Sequence, residues 1–198
     1  MKLRALQRII EKIYRLDSNA PVERFLVSAE ELKGLNPGSK DTSPQILLRQ
    51  GEDETLFLAV HIGDKTLRRI RGKGPNTIRL KDLMEAAEEI SHFVYLSWSA
   101  ANDRPVTLLD VEIQGEIDKF LLARMVRPYE PDLAARLFER FSWKEPMHAE
   151  ERERYREASR LARKFCASLG RFKNALRRLR EFYRLNSQAR LALLWGLK

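Results

Sequence analysis

The sequence has one cysteine, Cys166, three histidines and no long uninterrupted run of apolar residues. A single cysteine excludes an internal disulfide, and with three histidines it leaves no ligand set for a structural zinc site. No segment approaches the roughly 18 to 20 apolar residues that a membrane-spanning helix needs. The first residues do not resemble a signal peptide. We therefore expect a cytoplasmic protein without a transmembrane segment.

Positive charge is plentiful but unevenly distributed along the chain. The 198 residues carry a formal net charge of +9. Residues 150–198 contain 14 basic and 5 acidic residues, whereas residues 1–149 contain 23 of each kind. The whole excess therefore lies in the last quarter of the chain. Such asymmetry is typical of a surface that meets an anionic partner.

The hydrophobic periodicity predicts a mostly helical protein. Apolar residues recur at helical spacing over 2–16, 81–101, 105–126, about 131–141, 147–169 and two further C-terminal segments. Alternation predicts strands at 45–50 and 55–62 around a turn, a short strand at 24–27, and edge strands at 66–70 and 77–80. Strands followed by helices indicate an α+β fold, with a small antiparallel sheet in the N-terminal half before a helical bundle.

The change in charge near residue 145 suggests how the chain is organised. We predict an α+β body over residues 1–145 and a basic helical segment over 146–198 that packs on it, together forming one domain. The sequence contains no internal repeat and no low-complexity tract.

Two predicted helices carry acidic residues and a histidine at spacings that suit metal ligands. Glu88 and His92 are four residues apart on one helix, and Glu112 and Glu116 are four apart on the next. Each pair therefore shares a helix face. With both faces turned inward, the four side chains would resemble half of a carboxylate–histidine metal site in a helical bundle.

A structural role for these residues is the simpler interpretation. Di-iron sites in four-helix bundles use Glu and His three residues apart, twice, whereas Glu88 and His92 are four apart and occur once. Three arginines could neutralise Glu116 as well as a metal could: Arg68, Arg104 and Arg124. We therefore predict no metal and no cofactor. A metal-assisted hydrolase or oxidase stays as the alternative function, with four candidate catalytic residues: Glu88, His92, Glu112 and Glu116.

Glu116 also allows a prediction that does not depend on function. A helical projection places it in the most apolar sector of its helix, between Leu109, Ile113 and Phe120. An unpaired buried charge is costly. We therefore predict that Glu116 is largely buried and bonded to an Arg, Lys, His or Tyr side chain.

The leading functional hypothesis rests on arginine. Eight basic residues lie off the apolar stripes of the two basic C-terminal helices: Arg160, Arg163, Arg171, Lys173, Arg177, Arg178, Arg180 and Arg184. Arginine binds phosphate and carboxylate in a bidentate manner, so these residues predict a binding or regulatory protein that docks a nucleic acid or an acidic protein. A third hypothesis is peripheral membrane contact through Leu191, Leu194 and Trp195.

Overall fold

The structure is a computed structural model that describes residues 2–18, 20–37, 44–50, 56–74, 77–139, 148–170 and 172–197. The side chains of residues 50, 56, 172 and 173 also lie outside this description. Within the described residues the elements are, in chain order, α1 (Leu3–Tyr14), a 3-10 helix (Val22–Arg24), α2 (Ala29–Leu35), β1 (Gln45–Gln50), β2 (Leu56–His61), α3 (Asp64–Ile70), α4 (Leu80–Ala100), α5 (Leu108–Val126), α6 (Leu133–Phe138), α7 (Ala149–Ser168), α8 (Phe172–Tyr183) and α9 (Ser187–Gly196).

The predicted fold class is confirmed, because a small antiparallel sheet in the N-terminal half precedes a run of helices. β1 and β2 pair from Gln45 opposite His61 to Gln50 opposite Leu56. On the other side of β2, Leu26 forms one parallel bridge with Val60. The segment predicted as a strand at 24–27 thus contributes only this bridge, because its first residue still belongs to the 3-10 helix.

Helices α4 and α5 form the centre of the molecule. Lys119 pairs with Glu88 while Glu112 lies beside His92, so residue numbers rise along α5 as they fall along α4. The two helices are therefore antiparallel neighbours. α5 begins at Leu108 because Thr107 caps it in a capping box with Asp110. The expected start at 105 was three residues too early, and Pro105 precedes the helix.

The C-terminal helices pack onto this centre. α7 lies against α5, α8 lies against α1, and α9 lies against α7. Buried apolar residues from both 1–145 and 146–198 belong to one hydrophobic cluster. Gly170 adopts a φ of +69° just after α7, the left-handed conformation that favours glycine at a helix C-terminus. The proposed boundary near residue 145 falls in 140–147, outside the described residues.

The two predicted edge strands are wrong. Residues 64–70 form α3 instead, since the buried Thr66 and Ile70 are four residues apart and share a helix face, whereas a strand needs alternation. Residues 77–79 form the entry to α4, where Arg79 donates two hydrogen bonds to Asp82 in the first turn. The predicted turn at 51–54 lies outside the described residues.

In the part of the chain that the structure describes, no helix combines the length and apolar character that crossing a membrane requires.

Candidate functional sites

The structure brings the predicted acidic residues and histidine together between α4 and α5. Glu88, His92 and Glu112 each offer one ligand atom, and these atoms lie within 4.8 Å of one another. Glu116 is joined to them by Lys119, whose Nζ lies 2.6 Å from Glu116 and 3.1 Å from Glu88. The inward orientation of both helix faces is therefore present in the fold.

His92 is a neutral imidazole in this setting. Burial lowers its pKa to about 4, although the negative charge of Glu88 opposes the shift. Its Nδ1 lies 3.9 Å from Glu89 and its Nε2 lies 3.8 Å from Glu112. Because a neutral ring forms no ion pair and these distances exceed hydrogen-bond length, neither contact holds the ring. The packing of α4 against α5 holds it instead.

Glu112 lies in an environment that favours its protonated form. Burial, with a smaller contribution from Glu88, raises its pKa to about 8, and Arg154 from α7 opposes the shift. The Nε of Arg154 lies 3.8 Å from Glu112. Glu112 also influences Tyr155, the residue after Arg154. Burial has the largest effect on the pKa of the Tyr155 hydroxyl and Glu112 the second largest, and both raise it. α7 therefore supplies the third side of the cluster.

The prediction for Glu116 is confirmed, but its partner is not one of the three arginines named above. Its side chain is 11% exposed and pairs with Lys119, three residues further along the same helix. Arg104 and Arg124 instead donate to backbone carbonyls. Burial disfavours the charge on Lys119, but the carboxylates of Glu116 and Glu88 outweigh that effect and raise its pKa. Lys119 therefore stays protonated.

Replacing Glu116 with alanine is expected to lower the free energy of unfolding by about 1 to 3 kcal/mol, because Lys119 loses a buried charged partner. Glu88 still pairs with Lys119 in this variant, so the loss of stability is smaller than for a buried charge that keeps no partner. Glu116→Gln keeps the shape and should cost less. Urea unfolding measures both, with Glu181→Ala as control because Glu181 is 65% exposed. An alanine variant as stable as wild type would contradict this role of Glu116.

Three residues around this site were not among the candidates that the sequence indicated: Glu89, Lys119 and Arg154. Glu89 precedes His92 by three residues, which is the spacing of histidine–carboxylate sites in bundles. That signal was present in the sequence. Nothing in the local sequence indicated Arg154, which reaches the site only because α7 packs on α5.

A second buried polar group lies beside this cluster and was not predicted. Asp118 of α5 accepts hydrogen bonds from Tyr14 (2.5 Å), Ser91 (2.5 Å) and Gln114 (3.2 Å). Gln114 in turn accepts from Arg190, which is fully buried. These bonds join α1, α4, α5 and α9, so this network holds four helices in register.

The basic residues predicted on α7 are mostly neutralised within the chain. Arg160 forms a pair with Glu157 at 2.6 Å, and Arg163 forms one with Glu139 at 2.6 Å. Arg178, on α8, donates to the carbonyl of Ser168 at the end of α7. Arg171 and the side chain of Lys173 lie outside the described residues.

Two of the three remaining predicted arginines, Arg180 and Arg184, lie next to the C-terminal end of α1. Arg180 Nε donates to the carbonyl of Ile13 at 2.8 Å, and Arg184 donates to that of Tyr14 at 3.0 Å. Both are thereby placed beside Arg15. The pKa of Arg180 is lowered by partial desolvation and by the charges of Arg15 and Arg184. These three guanidinium groups are therefore close enough to repel one another.

The positive charge continues along α1. Arg8 and Lys12 are exposed four residues apart on one face of α1, and Arg15 is exposed immediately after the helix. Among the residues that the structure describes, none of these three forms a side-chain ion pair. We refer to this surface as the α1–α8 basic face, defined by six residues: Arg8, Lys12, Arg15, Arg177, Arg180 and Arg184.

Comparison of the chain with models of protein families, with curated proteins and with solved structures found no match. The geometry of these two sites therefore carries the functional argument alone.

Proposed function

We propose that this is a binding and regulatory protein that docks the phosphate backbone of a nucleic acid through the α1–α8 basic face. The observation that carries the proposal is the group formed by Arg15, Arg180 and Arg184. Within the described part of the chain, no acidic side chain pairs with any of them. Like charges held together without counter-charges raise the free energy of the folded protein, and a bound anion relieves this repulsion. Such a group of charges is expected of an anion-binding surface.

The arginines of the trio are partly preorganised. Arg180 is anchored through Nε alone, and its two terminal amino groups make no hydrogen bond to other described residues. A paired set of N–H donors in one plane matches a phosphate group. Because the side chain is already held, binding costs less conformational entropy than it would for a free arginine.

The character of the face favours contacts to phosphate over reading of bases. Its members are five arginines and one lysine, and Glu181 is the single acidic residue described on α8. No helix-turn-helix turn, zinc-finger spacing or aromatic RNA-binding motif occurs in the sequence. We therefore propose binding without sequence preference. We further propose a reducing, cytoplasmic location, which suits a chain with one cysteine.

Reversing the charge of Arg8, Lys12 and Arg177 is expected to weaken binding to a short labelled DNA duplex by at least about tenfold at low salt. Lys12 and Arg8 make no side-chain bond to the rest of the described chain. Arg177 is 74% exposed and lies 3.8 Å from Glu181. The substitutions to glutamate should therefore leave the fold intact, and fluorescence anisotropy measures the affinity.

A matched control reverses the same number of charges elsewhere. Arg156, Arg160 and Arg163 on α7 are each paired with a glutamate and about half exposed, so their replacement by glutamate should reduce affinity much less. Equal losses for the two triple variants, or no binding by wild type, would contradict the proposal. Tighter binding to polyglutamate than to DNA would reassign the face to an acidic protein.

A further inference from the structure

The cluster between α4 and α5 has the chemistry of a metal site that is separate from the basic face. We propose that Glu88, His92 and Glu112 bind one divalent transition metal ion. Their ligand atoms lie within 4.8 Å of one another. One imidazole nitrogen and two carboxylate oxygens form a donor set that suits Zn²⁺, Mn²⁺ or Fe²⁺. This site does not depend on the function proposed above.

The distances require only small side-chain movements. Ligand atoms bound to zinc at about 2.0 to 2.2 Å lie roughly 3 to 3.5 Å apart. His92 Nε2 and Glu112 Oε2 are 3.8 Å apart. Closing this gap requires less than about one ångström. The side chains of Glu88, His92 and Glu112 are 23%, 9% and 10% exposed, so Glu88 is the most accessible of the three to solvent.

The state of His92 points independently to a ligand. Its side chain is more than nine-tenths buried, and Nε2 has no hydrogen-bond partner among the described residues. Buried polar atoms without a partner are rare and call for an explanation. Nε2 lies 3.8 Å from a carboxylate oxygen of Glu112, which is too far for a hydrogen bond between them. A bound metal ion would satisfy both atoms.

Gly115 indicates that the position of the ring is built into α5. A Cβ added at Gly115 would lie 2.7 Å from His92 Nε2, so no other residue leaves room for the ring in its present place. Glycine inside a helix costs roughly 0.5 to 1 kcal/mol relative to alanine. The close approach of the imidazole accounts for a glycine at this buried position.

The local charge also favours a cation. Carboxyl groups of four residues, Glu88, Glu89, Glu112 and Glu116, lie in or next to the site, and Lys119 and Arg154 lie within 4 Å of three of them. In this largely buried place a divalent ion interacts with carboxylate ligands more strongly than it would in water.

The experiment uses the full chain, stripped with a chelator and then titrated with Zn²⁺ and, separately, Mn²⁺. We expect one equivalent of zinc per chain by mass spectrometry of the metal content after dialysis, and a higher melting temperature with metal than with chelator. Co²⁺ gives a second readout, since a nitrogen-ligated cobalt centre absorbs visible light. DNA binding by the same samples is expected to be unchanged.

Three variants test the ligands, and one serves as control. His92→Gln and Glu112→Gln should weaken zinc binding by at least about tenfold, and Gly115→Ala should weaken it by displacing the ring. His148→Gln removes an exposed histidine outside the cluster and should bind like wild type. Circular dichroism in chelator checks folding, and Glu112→Gln, which keeps the side-chain shape, decides the matter where another variant fails to fold.

Stoichiometric zinc that disappears in Glu112→Gln and persists in His148→Gln would support the site. Wild-type protein that binds no zinc, manganese or cobalt would overturn it, as would zinc binding of equal strength in wild type and Glu112→Gln. In either case, Glu88, His92 and Glu112 would be a structural ion-pair cluster that Lys119 and Arg154 neutralise.

Discussion

Replacing Arg190 with alanine is expected to lower the free energy of unfolding by about 3 to 5 kcal/mol, the usual cost of removing one partner from a buried ion pair. Arg190 is fully buried, and its Nε lies 3.5 Å from Asp110. Its guanidinium also stacks on Phe182 at 4.2 Å and Tyr95 at 5.0 Å. Alanine would leave a buried carboxylate without its cation and a cavity between two rings.

Urea unfolding followed by circular dichroism measures this loss. Arg177→Ala is the control, since Arg177 is 74% exposed and should change stability by no more than about 0.5 kcal/mol. The double variant Asp110→Asn with Arg190→Met removes both charges. It should therefore lower the free energy of unfolding by less than the sum of the losses measured for Asp110→Asn alone and Arg190→Met alone. If the free energy of unfolding of Arg190→Ala lay within about 0.5 kcal/mol of the wild-type value, the pair of Arg190 and Asp110 would not be what holds α9 in place.

Replacing Asp118 with alanine is expected to cost about 3 to 5 kcal/mol, since it leaves Tyr14, Ser91 and Gln114 without their buried acceptor. Asp118 is 1% exposed. An asparagine side chain at this position would retain the shape and one acceptor oxygen, so Asp118→Asn should cost clearly less than Asp118→Ala. Melting curves at neutral pH give the order of the three proteins. An alanine variant more stable than the asparagine variant would contradict the hydrogen-bond network.

Asp118 also has a specific pH signature. Burial raises its pKa from 3.8 to about 6, although its three hydrogen bonds oppose the shift. The folded state therefore holds the proton more tightly than the unfolded state does. The stability from this group is complete below about pH 4 and is lost as pH rises through about 6. We expect the stability difference between wild type and Asp118→Asn to change by about 3 kcal/mol over that window.

Local periodicity predicted most of the helices because each buries an amphipathic face. α7, for example, was expected at 147–169 and spans Ala149–Ser168. The same approach failed for α3, because alternation predicts a strand over 66–70, where the structure has a helix. Helix and strand patterns are hard to separate over so few residues, and packing of Thr66 and Ile70 against the core decides between them.

The candidate sites were predictable only where they depend on one helix at a time. The shared faces of Glu88 with His92 and of Glu112 with Glu116 follow from helical spacing. The contacts that define the sites join distant parts of the chain, as between Tyr14 and Asp118 or between Arg180 and Ile13. Charge counting likewise found the basic C-terminal region, but α1 joins it only through tertiary packing.

The central claim, that the α1–α8 basic face binds phosphate, is tested most directly by the salt dependence of DNA binding. Each phosphate contact contributes about 0.9 to the slope of log affinity against log salt concentration. Neutralising Arg8, Lys12 and Arg177 with glutamine should lower that slope by about 2 to 3, whereas the same change at Arg156, Arg160 and Arg163 should leave it unaltered. A slope that is the same for wild type and the α1–α8 variant would contradict the claim.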